Sequence, residues 1–464
     1  MSFPSNFLWG VATSAFQIEG AVSEGGKKPS IWDVFTHKAG AIYENHHADV
    51  ACDHYHRYKE DVALMKHIGI KAYRFSIAWT RILPDGIGPV NQEGIAFYRS
   101  LIDELVSAGI EPVLTLYHWD LPQALYVRGG WQNPDSPLWF EEYARVVAQH
   151  FGDKIRHYIT FNEPNCFLGV AHIVGIHAPG IRLPMRDILQ MSHHVLLAHG
   201  RAVKAIRQHV PAPCKIGFAP TGPMHYPKSS DPADIEAART ATFSIEKSIV
   251  FSAINVRMWY DPIFFGEYPK EAYAAYGKDM PEIAPGDMEL IAQPVDFVGQ
   301  NIYNGHQVQA AANPEGFAFV ERSFSHPRAL NNWPITPECL YWGPKFLYER
   351  YGKPIMITEN GLPMHDIVSM DGKIHDHYRI DGLTRYLAQY RRAAGDGVEV
   401  MGYFLWSLMD NFEWSLGYPM RYGLVHVDYD TQKRTFKESA QWYRRVIETN
   451  GDCLPLGSGS QVSP

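Results

Sequence analysis

The feature that most restricts this chain is a recurrence of element type. Short β-rich runs fall at Leu8–Ala15, Ala72–Ile77, Pro112–Tyr117, His157–Phe161, Lys215–Ala219, Asp296–Gln300, Ile355–Thr358 and Gly402–Leu405. Most are nearly all apolar, as parallel strands covered on both faces must be. Helical patterns lie between them. The cleanest is Asn91–Ala108, where Asn91 caps and Ile95, Tyr98, Leu101, Ile102 and Leu105 fall at helical spacing before Gly109 ends the run. The others are expected at Asp49–Ile68, Pro137–Phe151, Asp187–His209, Asp234–Val256, Thr336–Tyr351, Asp381–Ala394 and Thr435–Thr449. Strand and helix alternating in this way predict an α/β fold, a single-domain (β/α)8 TIM barrel over 1–454 with a disordered tail over 455–464. Two stretches, Ala171–Pro184 and His306–Pro334, read as extended βα loops.

Composition excludes several classes. The chain has 464 residues, 42 Lys+Arg against 50 Asp+Glu, and a net charge of −8, so it lacks the basic excess of a nucleic-acid binder. No run approaches the roughly 18 apolar residues of a membrane span, and the start "MSFPSNFLWG" lacks a secretory pattern. Five scattered cysteines with no Cys-x-x-Cys pair suit reduced thiols, hence an expected cytoplasmic location. The residues imply no cofactor, and they leave open whether the chain forms a homo-oligomer.

In a barrel of this kind, residues just after each strand line the active-site mouth. Two of these positions carry glutamate: "TFNEPN" supplies Glu163 and "PIMITENG" supplies Glu359. A glutamate after a buried strand is costly unless paired or used. Two of them, on the fourth and seventh strands and so expected on opposite sides of the barrel, suit glycosidic bond cleavage. There one carboxyl protonates the leaving oxygen, and the other attacks the anomeric carbon or activates water. The remaining strand ends give Gln17, Arg74, His118, Trp119, Asn301, Tyr303, Trp406, Glu413 and Trp414. Amides and carboxylates grip sugar hydroxyls, and indole faces cover the apolar side of a pyranose. The expected partner is a small-molecule carbohydrate.

The segments "TFNEP", "ITENG", "YRFSIAW", "LYHWDLPQAL", "WQNP", "HAPG" and "WSLMDNFEW" with "GYPMRYGLVHVDY" resemble those of the β-glucosidases of glycoside hydrolase family 1. The likeness runs from "FLWGVATSAFQIEG" to "TQKRTFKESAQWYRRVI". It implies Glu163 as acid/base and Glu359 as nucleophile, with Arg74 and Tyr303 holding Glu359 ionised and Asn301 completing the catalytic group. It implies that Asn162 binds the sugar 2-hydroxyl and that Gln17, His118, Glu413 and Trp414 hold the other hydroxyls. Trp406 would form the floor, Trp119 would belong to the sugar site, and Trp333 would flank the leaving group. Net retention follows, with carboxyls ~5–5.5 Å apart. Family members that take 6-phosphorylated sugars place Ser, Lys and Tyr after the eighth strand. Here Glu413 and Met420 replace the first two and only Tyr422 agrees, so unphosphorylated sugars are expected. Cys339 stands where the family usually has glycine and is assigned to helix packing.

Three rival readings differ in their signatures. The run "NHHADVACDHYHRY" suggests a metal-dependent hydrolase, yet His54 and His56 are two apart and do not share a helix face. An inactive sugar-binding module would have no reason to keep both glutamates. A transglycosidase would differ only in letting a sugar acceptor intercept the glycosyl-enzyme.

Overall fold

The structure is a computed structural model that describes residues 3–211, 213–245 and 255–455. Eight parallel strands close into a barrel: β1 (Leu8–Ala12), β2 (Ala72–Ser76), β3 (Glu111–Tyr117), β4 (His157–Asn162), β5 (Lys215–Ala219), β6 (Phe297–Asn301), β7 (Ile355–Asn360) and β8 (Val400–Trp406). Sequence neighbours pair throughout, and β1 closes the ring on β8 with Leu8 opposite Gly402 and Ala12 opposite Trp406. The expected fold class is the observed one.

Two apolar layers hold it. Inside the barrel each strand contributes one side chain: Ala12, Ala72, Val113, Ile159, Ala219, Phe297, Met356 and Phe404, topped by Trp406 and Tyr422. Small and large residues mix around this ring because the lumen has room for only a few aromatic rings. A Cβ on Gly217 would sit 2.3 Å from the Phe297 ring, so that glycine makes space for the aromatic. Outside, the helices bury their apolar stripes on the strands. Helix Gln92–Ser107 follows the sequence expectation closely: the Asn91 side chain accepts from the Glu93 N–H at 3.3 Å, and Gly109 (φ 75°) turns the chain out.

The expected elements needed adjustment at their ends. The first run stops at Ala12, and Ala15–Ile18 forms a short helix instead of continuing the strand. The first expected helix starts at His54 rather than Asp49. Thr435 is not helical: Arg434–Phe436 pairs antiparallel with Val425–Val427, and the last helix is Glu438–Glu448. A β-branched and an aromatic residue favour the extended form there. Of the two expected loops, the first begins inside a π-helix, Asn165–Val174. The second contains strands Gln307–Ala310 and Phe317–Phe319, which join Tyr226–Pro227 in a small sheet. Of the expected helix Asp234–Val256, Pro232–Phe243 is observed and residues 246–254 lie outside the described residues, as does the expected tail beyond Pro455. No helix among the described residues is long and apolar enough to cross a membrane.

Candidate active site

The strand ends converge as their order requires. β4 and β7 are three strands apart around the ring, with β5 and β6 between them, so they are not diametrically opposed as expected from the sequence. Irregular register delivers both carboxylates. The β7 pairings shift between Ile357 and Glu359 on one side and between Ile357 and Asn360 on the other. The β4–β5 pairing shifts between Ile159 and Asn162. A bulge re-aims the side chains that follow it. Glu163 then adopts a positive φ of 44°, its N–H donates to the Ala219 carbonyl at 2.8 Å, and the π-helix begins. Trp119 (φ 78°) and Trp414 (φ 49°) are similarly strained, so three uncommon backbone conformations fall on site residues.

Asn301 is the hub. It lies directly opposite Glu359 in the β6–β7 register. Its Nδ2 donates to Glu163 Oε1 at 2.7 Å and to Asn162 Oδ1 at 3.0 Å, and its Oδ1 accepts from the Thr358 hydroxyl at 2.6 Å. Arg74, buried in the barrel, donates to Glu359 Oε1 at 2.5 Å, to the Thr358 carbonyl at 3.0 Å, to Asn162 Oδ1 at 2.6 Å and to the Thr115 hydroxyl at 3.1 Å. Tyr303 donates to Glu359 Oε2 at 2.8 Å. Glu359 thus has both oxygens held, and Glu163 is joined to the same network through one amide.

The electrostatics separate the two carboxyls. Burial and then the charge of Glu359 push Glu163 up to about 7. Burial also raises Glu359, while Arg74 and Tyr303 pull it back. Both partners act in the expected direction, favouring the ionised form against the burial that raises it. Tyr303 stays a donor because burial and the two glutamates raise it well above the usual phenol range. Burial and Arg74 hold His118 well below the ordinary imidazole value. Neutral His118 accepts from Asn162 Nδ2 at 3.0 Å through Nε2, which leaves its buried Nδ1 without a partner.

Glu413 Oε2 is also buried and unpartnered, and burial together with Glu359 and Glu163 pushes this carboxyl up to about 8. Unmatched buried polar atoms on His118 and Glu413 are what a site for a hydroxylated ligand needs. The aromatic wall is continuous. The Trp119 and Trp414 rings lie 4.3 Å apart, His118 stacks at 6.0 Å on Trp406 and 5.9 Å on Trp414, and Trp406 caps the barrel interior.

Other strand-end residues make further contacts within the protein. Gln17 spends its amide on the loop after β8, donating to Asn411 Oδ1 at 3.1 Å and the Phe412 carbonyl at 2.8 Å. Trp119 donates from its indole to the Asn162 carbonyl at 2.9 Å, so it also supports the backbone of the acid motif. Trp333 is 42% exposed at the rim, its ring edge-on to Tyr303 at 5.3 Å. In the histidine-rich run, His54 Nδ1 meets buried Asp61 at 2.7 Å, and Asp61 also takes Arg434 at 3.1 Å, an internal ion pair. Cys339 is fully buried at its helix start. Thr358, Thr115 and Cys166 were not foreseen from the sequence. Cys166 lies three residues past Glu163 and hydrogen-bonds its carboxyl, a spacing that a helical turn brings together.

Known proteins share this fold and much of this sequence. The glycosyl hydrolase family 1 profile matches residues 1–452. Beta-glucosidase A of Acetivibrio thermocellus is 45% identical over 97% of this chain and 99% of its own. An aryl-phospho-beta-D-glucosidase of Bacillus subtilis is 40% identical over 98% of both. The solved beta-glucosidase of Thermotoga maritima in complex with deoxynojirimycin is 44% identical, covers 97% of this chain and 99% of its own, and superposes with a TM-score of 0.88. The chain belongs to glycosyl hydrolase family 1.

Proposed function

We propose that this protein is a retaining β-glucosidase that removes terminal non-reducing β-D-glucosyl residues from short oligosaccharides such as cellobiose and from aryl and alkyl β-glucosides. The observation that carries the reading is the Asn301-centred network, which joins one carboxyl raised to about 7 to another gripped by Arg74 and Tyr303. Environments that push two carboxyls apart assign acid and nucleophile.

Glu359 attacks the anomeric carbon as the bond to the leaving oxygen breaks, and Glu163 gives that oxygen its proton. The glycosyl–Glu359 ester removes the negative charge beside Glu163, which then takes a proton from water as water attacks the same carbon and Glu359 departs. Asn162 and the free atoms of His118 and Glu413 bind hydroxyls, and Trp406 and Trp414 face the ring. Glu413 and Met420 stand where phosphate-taking members place Ser and Lys, so no lysine ammonium is offered to a phosphate there, which supports unphosphorylated sugars. β-Galactosides and β-fucosides are also cleaved. Five free cysteines support a reducing, cytoplasmic location.

The test is chemical rescue. Glu359→Gly should lose hydrolysis by at least ~10⁴-fold, and azide should restore turnover of an activated aryl glucoside as the inverted α-glucosyl azide. Glu163→Ala should slow alkyl glucosides far more than activated aryl ones. Equal losses on both substrates would remove Glu163 from the acid role.

A further inference from the structure

Beyond β7 the segment Ile374, His375, Asp376, His377 alternates strictly in burial, with Ile374 and Asp376 inward and both histidines outward. Asp376 pins the segment, pairing with Arg379 and accepting from the Ser439 N–H at 2.9 Å in the first turn of helix Glu438–Glu448. The Glu438 N–H donates to the Ile374 carbonyl at 3.2 Å. The two imidazoles therefore stand side by side over the start of that helix, their rings 6.0 Å apart and tilted by 27°.

Glu438 sits against both. Its Oε1 lies 2.7 Å from His375 Nδ1 and its Oε2 3.4 Å from His377 Nδ1. On the far side of His375, Nε2 meets Asp371 Oδ2 at 3.0 Å, and Asp371 is itself held by the Lys373 N–H at 3.0 Å. Ligand atoms of His375, His377 and Glu438 all fall within 4.8 Å of one another. A carboxylate behind a histidine fixes the tautomer and presents the other ring nitrogen as a lone pair, which is how metal-binding imidazoles are oriented. Simple hydrogen bonding accounts for His375 between two carboxylates. His377 is 74% exposed on its side chain and still turns toward the same carboxylate, at an ion-pair distance that leaves room for a bridging cation.

We propose that His375, His377 and Glu438 form a divalent-cation site of zinc type, with Asp371 orienting His375. Two imidazoles and one carboxylate suit such an ion, and the exposed setting leaves a coordination position to water. The site contains none of the carboxyls assigned to catalysis. It joins the loop after β7 and the start of helix His377–Gly395 to helix Glu438–Glu448, so a bound ion clasps these elements and stabilises the folded chain by mass action.

The experiment uses the tag-free, chelator-treated full chain titrated with Co²⁺, read by visible absorption, and with Zn²⁺, read by thermal unfolding. His377→Ala should lose one equivalent of spectroscopically visible Co²⁺ and most of the Zn²⁺-dependent rise in Tm. Its metal-free Tm should match the parent, because the side chain is exposed. Glu438→Gln should weaken Co²⁺ binding at least ~10-fold. Among the described residues His37, His47 and Asp49 form a second group of this kind, so His37→Ala serves as the comparison. Unchanged Co²⁺ stoichiometry in His377→Ala, no metal uptake by the parent, or loss only in His37→Ala would each overturn the proposal.

Discussion

At the residue scale the site runs on carboxyls that burial makes reluctant to ionise. With Glu163 pushed up to about 7, kcat/KM for alkyl glucosides should fall as pH rises through that value, because the acid loses its proton. Tyr303→Phe removes a hydrogen bond that lowers Glu359, so the acid limb of the same profile should move to higher pH. Initial-rate pH profiles check both. Glu413→Gln should cost roughly 2–10-fold in kcat/KM at neutral pH, the scale of one hydrogen bond to a neutral carboxyl. The same change bears on stability. The folded chain holds the Glu413 proton to about 8, whereas the unfolded chain releases it from about 4.3. Native stability therefore drops as pH rises through that window. Glu413→Gln should raise Tm at pH 9 and leave it unchanged at pH 4, as scanning calorimetry would record.

At the element scale, the loops after β7 and β8 are fastened by buried charge. Lys437 places its ammonium against both Asp366 and Asp410; Asp366 also meets Arg379, and Asp410 also meets Arg421 at 2.7 Å. Burial alone would raise Asp410, yet Lys437 and Arg421 bring it below the ordinary carboxylate range. Lys437→Met leaves Asp366 to Arg379 and Asp410 to Arg421, each short of one buried charged partner, and should destabilise by ~1–3 kcal/mol, measured as a lowered urea midpoint. This network also marks the limit of what the sequence discloses. The strands, the two glutamates and the strand-end polar residues were legible because an apolar run closing on a carboxylate is too costly to persist without a use for the charge. Thr435 was misplaced in a helix because its extended form rests on pairing with His426, and a pairing partner is not written in the run itself. The bulges in β4 and β7 were equally silent, since register is a property of pairs and not of one run. Gln17's hold on the loop after β8 was equally hidden, because it depends on Asn411 and Phe412, 394 and 395 residues away.

At the scale of the whole molecule, the barrel's last seam is held by residues near both ends of the chain. Asn450 accepts from the Trp9 indole at 2.9 Å and donates to the Phe3 carbonyl at 2.7 Å, and Tyr443 donates to the Gly10 carbonyl at 2.7 Å. Asn450→Ala should loosen this joint first. Hydrogen exchange at Leu8–Ala12 should accelerate while β3 and β4 stay protected. The seam also dictates an order of events during synthesis. β1 leaves the ribosome first, but its partner β8 and the fastening residues Tyr443 and Asn450 emerge only after the other strands. Until then the nascent sheet carries two bare margins able to pair with other chains, and only the arrival of β8 and its fastening residues removes them.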